Sequence, residues 1–126
     1  MDVLLATSNE HKARAVQAVL GRRVQHIKLD LPEIQAIDVQ EVIERKARAA
    51  YRLVGKPVLV EDTSLSLQAW NGLPGALIRW FLETVGNEGI CRMLTGYEQL
   101  EATTETCLSY FDGQDFVSFR EWLKEL

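Results

Sequence analysis

The hydrophobic period of this chain changes once, and where it changes limits the folds open to it. Up to about Leu94, short apolar runs alternate with stretches whose apolar residues recur at helical spacing; from Thr103 the pattern is that of strands. Val3-Leu4-Leu5-Ala6 is a strand-length run and Thr7-Ser8-Asn9 a polar turn, after which Ala13, Val16, Val19 and Leu20 fall at helical spacing before Gly21. Residues 24–29 read as a second strand. Leu31-Pro32-Glu33 reads as extended chain, because the proline ring disfavours helix in the residue before it. Asp38 with Glu41 three positions on has the form of a helix N-terminus, and the helix predicted from it runs to about Val54, where Gly55 and Pro57 stop it. Residues 58–60 form a short strand, and Asn71-Gly72-Leu73-Pro74-Gly75 is a turn-rich passage into helices over about Ala76–Val85 and Asn87–Leu94. Thr103–Phe111 and Phe116–Phe119, joined around Asp112-Gly113, read as a hairpin. The closing Glu121–Leu126 reads as one or two helical turns. This order predicts an α/β domain with a mixed central sheet and flanking helices.

At 126 residues, 47% of them hydrophobic and 25% charged, the chain can bury one core. It contains no internal repeat, low-complexity tract or Pro/Ser-rich linker, so residues 1–126 read as a single domain. No run reaches the apolar length of a membrane span, and Met1-Asp2-Val3 lacks the basic and apolar regions of a secretory signal; the expectation is a cytoplasmic protein with no membrane partner. Cys91 and Cys107 form neither a Cys-x-x-Cys pair nor a disulfide framework and read as reduced thiols in or near the core. A net charge of −4 argues against general affinity for nucleic acid. The charge is divided unevenly. Residues 1–60 carry ten Lys/Arg against seven Asp/Glu, and residues 61–126 carry four against eleven. That division suits a solvated surface, and equally an anionic ligand gripped by the first half with a metal nearer the junction.

Three segments carry residue types suited to chemistry. Thr7-Ser8-Asn9-Glu10-His11-Lys12 hands a strand over to a helix through small polar residues, where unpaired N–H groups and the first-turn Lys12 can receive phosphate; a plain Asn or Ser helix cap uses the same residues. Along the helix from Asp38, Val39, Val42, Ile43, Ala50 and Leu53 share one stripe with Lys46 among them. A lysine in such a stripe either snorkels to the edge or meets an anion in a cleft. Val58-Leu59-Val60 runs into Glu61-Asp62-Thr63, and carboxylates at the C-terminal end of a strand suit a hard cation such as Mg²⁺, with Glu33 a candidate second ligand. Adjacent strand residues point to opposite faces, so one of Glu61 and Asp62 faces such a cleft. As turn or surface charges they need no ligand.

In order along residues 3–119, the segments "LLATSNEHKARAVQAVL", "DLPEIQ", "IERKARAA", "VLVEDTSLSLQAWNGLPGALIRWFL" and "GICRMLTGYE" resemble those of the inosine triphosphate pyrophosphatase family, also called the HAM1 or non-canonical purine nucleoside triphosphate pyrophosphatases. The resemblance implies an elongated α/β fold with a cleft between two lobes, usually as a homodimer. It implies Mg²⁺-dependent hydrolysis of inosine, xanthosine and related triphosphates to monophosphate and pyrophosphate. On that pattern Thr7, Ser8, Asn9 and Lys12 hold phosphates with Lys46, while Glu33 and Asp62 bind metal. Asp62 further matches the family's general base for the attacking water, and Thr63 lies beside it in the substrate cleft. Arg79 stands where the family usually has lysine, keeping the charge with different reach.

The chain also departs from the family. A Phe-Gly-Trp-Asp stretch, a late lysine and a Ser-His-Arg motif, which form the base-recognition side of the cleft, do not occur in it. The expectation is therefore a C-terminally shortened member with altered base selectivity. The alternative is a nucleotide-binding or regulatory module of weak or absent turnover.

Overall fold

The computed structural model describes residues 3–7, 10–21, 24–29, 31 and 34–125. Among the described residues a six-stranded mixed sheet and four helices make up the fold. The elements run β1 (Leu4–Ala6), α1 (Glu10–Leu20), β2 (Gln25–Ile27), α2 (Val39–Val54), β3 (Val58–Leu67), a short 3₁₀ turn (Gln68–Trp70), β4 (Pro74–Gly75), α3 (Ile78–Thr84), α4 (Gly86–Met93), β5 (Ala102–Phe111) and β6 (Phe116–Glu125). The strand order is β2-β1-β3-β5-β6, with β4 also paired to β3. β1 is parallel to both β2 and β3, whereas β5 and β6 continue the sheet antiparallel. This is the mixed α/β sheet that the period change predicts.

α2 forms where the sequence marks its ends. The Asp38 side chain accepts the Gln40 N–H at 3.0 Å, meeting one of the amide groups a helix start leaves unpaired, and Gly55 ends the helix in the left-handed region at φ 72°. Its buried face, Val39, Ile43, Ala47 and Ala50, covers Val58 and Val60 of β3 and Cys107 and Phe111 of β5. Tyr51 and Val54 pack beside them. The buried arc is thus turned toward Ala47 and away from Leu53, which is 64% exposed. The same rotation leaves Val42 and Lys46 on the flank of the helix that borders open space.

Two strand predictions are corrected. β3 does not stop at Val60: it runs on through Glu61 and Asp62 to Leu67, because β5 pairs with every residue from Val58 to Leu67. The tail is no helical turn either. Glu121–Glu125 belong to β6, paired with Ala102–Thr106 of β5, so the ladder overrides the helix preference of Glu, Leu and Lys. The two thiols also part company: Cys107 lies in the core, but Cys91 is exposed on α4. Both are free. No helix among the described residues is long and apolar enough to cross a membrane.

The sheet has a window. β5 occupies one edge of β3 along its whole length, so β1 and β4 share the other edge. β1 pairs there with Val58 and Leu59, and β4 with Leu65 and Ser66. Between them, from Val60 to Ser64, no strand of the described residues pairs with that edge. Past the window the chain crosses back to the first lobe at Gly75, whose φ is 62° and whose missing side chain admits the Ile37 carbonyl; a Cβ there would lie 2.5 Å from that oxygen. The Ala76 N–H donates to the same carbonyl at 2.8 Å.

Candidate active site

The window opens into a cleft of about 910 Å³ between the β1–β2–α1–α2 lobe and the β4–α3 segment. Thr7, Lys12, Lys46, Asp62, Thr63 and Arg79 all line it, although they come from five different places in the chain. Ser8, Asn9 and Glu33 lie outside the described residues. Of the residues singled out in the sequence, those first six reach the same cleft, whereas Glu61 faces away from it.

The alternation of β3 sorts its acids. Asp62 continues the face of Val58 and Val60, which α2 covers, and emerges into the cleft where that cover ends. It is 8% exposed, and its Oδ1 accepts the Thr63 N–H at 2.8 Å, which fixes the carboxylate. Glu61, equally buried, points to the opposite face toward α1. There its carboxylate meets the Lys12 ammonium at 2.9 Å and accepts the Thr63 hydroxyl at 3.0 Å.

Lys46 does not snorkel away. Its Nζ donates to the main-chain carbonyl of Glu61 at 3.1 Å, inside the window where β3 has no strand on that edge. Thr7 is tied from below: its N–H donates to Ile27 O at 3.2 Å. Its carbonyl accepts from His26 Nε2 at 2.7 Å, so the imidazole carries its proton on that nitrogen. Arg79 sits farther out on the rim, with Nε donating to Glu83 at 3.0 Å and the guanidinium over the Trp80 ring. Trp80 in turn donates from its indole to Gln35 at 2.7 Å across the cleft mouth.

Gln35 and Trp80 were not singled out in the sequence; Glu61 was, as a candidate cation ligand beside Asp62, and the structure instead turns it away from the cleft toward Lys12. That orientation carried a signal: alternation places Glu61 on the face opposite Asp62, and that is the side of the helix bearing Lys12. For Gln35 and Trp80 the signal is only that they adjoin Ile34 and Arg79 in segments that line the cleft.

The arrangement suits an anion and a hard cation together. Two ammonium groups line the same cleft as the nearly buried Asp62 carboxylate, which is costly to leave charged unless cations compensate it. Mg²⁺ characteristically binds through one or two carboxylates plus substrate phosphate oxygens and water. Among the described residues no group of three or more His, Cys, Asp or Glu side chains is placed to hold a metal. Thiol chemistry is not part of the site: burial, with Glu105 beside it, pushes the Cys107 thiol up to about 11.

Residues 3–124 match the Ham1 family. An inosine triphosphate pyrophosphatase 2 of Trypanosoma cruzi is 42% identical over 117 residues, covering 91% of this chain and 60% of its own length. The inosine triphosphate pyrophosphatase of Schizosaccharomyces pombe is 42% identical over 113 residues, with 88% and 60% covered. That of Puccinia graminis is 38% identical over 130 residues, with 94% and 67% covered. The chain thus spans 60% of the length of the first two of these relatives. The fold superposes on the Staphylococcus aureus Ham1 protein with a TM-score of 0.77 at 18% identity, over 98% of this chain and 70% of that one. A dITP/XTP pyrophosphatase of Mycobacterium abscessus gives 0.75 at 20% identity, over 98% and 73%. Matched along nearly its whole length in sequence and in fold, the chain belongs to the Ham1 family.

Proposed function

We propose that this chain performs the phosphate end of a nucleoside triphosphate pyrophosphatase reaction, splitting a triphosphate and water into monophosphate and pyrophosphate. One observation carries the reading: Asp62, fixed by the Thr63 N–H at the window in β3, lines one cleft with Thr7, Lys12 and Lys46, and both lysines are held on the adjoining Glu61. The names of the relatives point the same way.

In this reading Lys12, Lys46 and the turn at Thr7 grip the phosphates, and Arg79 adds charge from the rim. Asp62 would hold Mg²⁺, with Glu33, which lies outside the described residues, as the second candidate ligand. The chemistry such an ion supplies when bound is neutralisation of triphosphate charge. Asp62 also takes the proton of the water that attacks phosphorus, and the pyrophosphate leaves with its new charge facing the two lysines. Beyond the residues assigned to phosphate, the described lining offers Gln35, Ser64, Asn87 and Thr104, and the base preference proposed with them is one altered from inosine and xanthosine. A homodimer, implied by the resemblance, belongs to the same proposal and is read by sedimentation.

Pyrophosphate release is measured with and without Mg²⁺ across ITP, XTP, dITP, dUTP and the standard triphosphates. Asp62→Asn keeps the shape and the Thr63 contact but cannot take a proton or hold the ion. Its expected effect is a loss of roughly 10²- to 10⁴-fold in turnover with the fold intact. Unchanged turnover in a folded Asp62→Asn protein sinks the role, and triphosphate binding without any turnover makes the chain a binding module.

A further inference from the structure

We infer that Glu61 is a positioning residue: it sets Lys12 for phosphate through its carboxylate, holds Thr63 through the same group, and docks Lys46 through its carbonyl. The inference rests on the cleft gripping a triphosphate, and assigns a role to the acid that does not face it.

Glu61 is the junction of three polar contacts at the site. Oε2 lies 2.9 Å from Lys12 Nζ, Oε1 accepts the Thr63 hydroxyl at 3.0 Å, and the main-chain oxygen accepts Lys46 Nζ at 3.1 Å. The two lysines come from different helices, so this one residue fixes the spacing between them. The carbonyl contact needs no particular side chain, but the other two need an acceptor with two oxygens.

A carboxylate beside a phosphate-binding lysine has two opposing effects. It subtracts charge from the site, and it removes the rotamer freedom of a long side chain, which for lysine is among the largest of any residue. Here the second effect wins. The Lys12 side chain is 37% exposed and its charge is screened by water, whereas the Glu61 side chain is only 9% exposed and pinned by Thr63. A buried, immobile acid therefore fixes one contact of the half-exposed Lys12 ammonium. In a triphosphate complex the three donors of the ammonium can divide between Glu61 and phosphate oxygens.

The test is a double-mutant cycle read by calorimetric binding of inorganic tripolyphosphate in EDTA, so that neither metal nor turnover enters. Glu61→Gln is nearly isosteric and still accepts from Thr63. It is expected to weaken binding about tenfold, the scale of one hydrogen bond to a charged group. In a Lys12→Met background the same change is expected to cost less than about twofold, because Glu61 acts through Lys12. A merely structural acid gives the same loss in both backgrounds, and that result overturns the proposal. So does Glu61→Gln binding as tightly as wild type or more tightly. If Glu61→Gln does not fold, Glu61→Asp replaces it, keeping the charge with one methylene less reach, and the same loss confined to the Lys12 background decides. Wild-type protein that binds no tripolyphosphate overturns this proposal and the phosphate reading together. Wild-type protein that binds it but releases no pyrophosphate removes only the hydrolase reading, and the cycle still decides on Glu61.

Discussion

Val58 and Val60, at the start of β3, are fully buried beneath α2, whereas Asp62 and Ser64, farther along the same face of the same strand, border the cleft. β5 pairs with both stretches alike. What differs is the other edge and the cover. Val58 has β1 beside it and Ile43 and Ala47 above it, while at Asp62 β1 has ended and β4 has not begun. A strand flanked on both edges and covered by a helix asks for apolar, β-branched side chains. A strand that outruns its neighbour exposes backbone and side chains to a crevice, and there polar residues can do chemistry. The comparison teaches that this site is made by strands that are absent over a few residues, as much as by the residues present.

α2 supplies a residue to each stretch, Ile43 to the cover and Lys46 to the cleft, and so provides the sharpest pair of tests. Ile43 belongs to the covered stretch and is fully buried, so Ile43→Ala leaves a cavity and is expected to cost about 2–5 kcal/mol in denaturant unfolding. Pyrophosphate release per folded molecule should hold within about twofold, because no cleft group moves; a large fall there would show that packing and site are one unit. One turn later on the same helix, Lys46→Met should do the reverse. Stability should stay within about 1 kcal/mol while triphosphate affinity drops tenfold to a hundredfold, the value of a charged hydrogen-bond donor in a partly buried site. If Lys46→Met instead unfolds the protein, its bond to the Glu61 carbonyl is structural support for the window rather than readiness for phosphate.

That pair also marks what was legible in the sequence. The α2 boundaries follow from Asp38 and Gly55, whose side-chain chemistry and backbone freedom act locally. Lys46 stood out because a charge in an apolar stripe is a local contradiction. Period alone could not decide which flank of the stripe faces the core, since Leu53 and Ala47 both fit it; the choice is made by Cys107 and Phe111 on β5, far away in sequence. For the same reason β3 was cut at Val60, where its apolar residues end, although β5 carries it to Leu67. The helix-favouring tail shows the limit most plainly, because Glu121–Glu125 adopt a strand through pairing with Ala102–Thr106. Of the site, residue types and their order could be read, but the window could not: it is a property of register between β1, β3 and β4.

The smallest expected effect lies at the turn of the β5–β6 hairpin, next to the covered stretch. Phe111 pairs with Val58, and the following Asp112 closes the turn: its Oδ1 accepts the Asp115 N–H at 2.7 Å and the Gln114 N–H at 2.9 Å. The Asp115 amide first, and the Gln114 amide second, hold the Asp112 carboxyl below the usual carboxylate range. A group whose folded pKa is depressed adds stability above its unfolded value and loses it as pH falls through the folded one. Asp112→Ala should therefore lower the urea midpoint modestly at neutral pH, and the gap to wild type should close in acid below both values. Pyrophosphate release should not change, since the turn touches the covered end of β3 and the site occupies the other. A fall in turnover matching the fall in midpoint would break the comparison, by showing that β5 transmits loosening along β3 from its buried valines to Asp62.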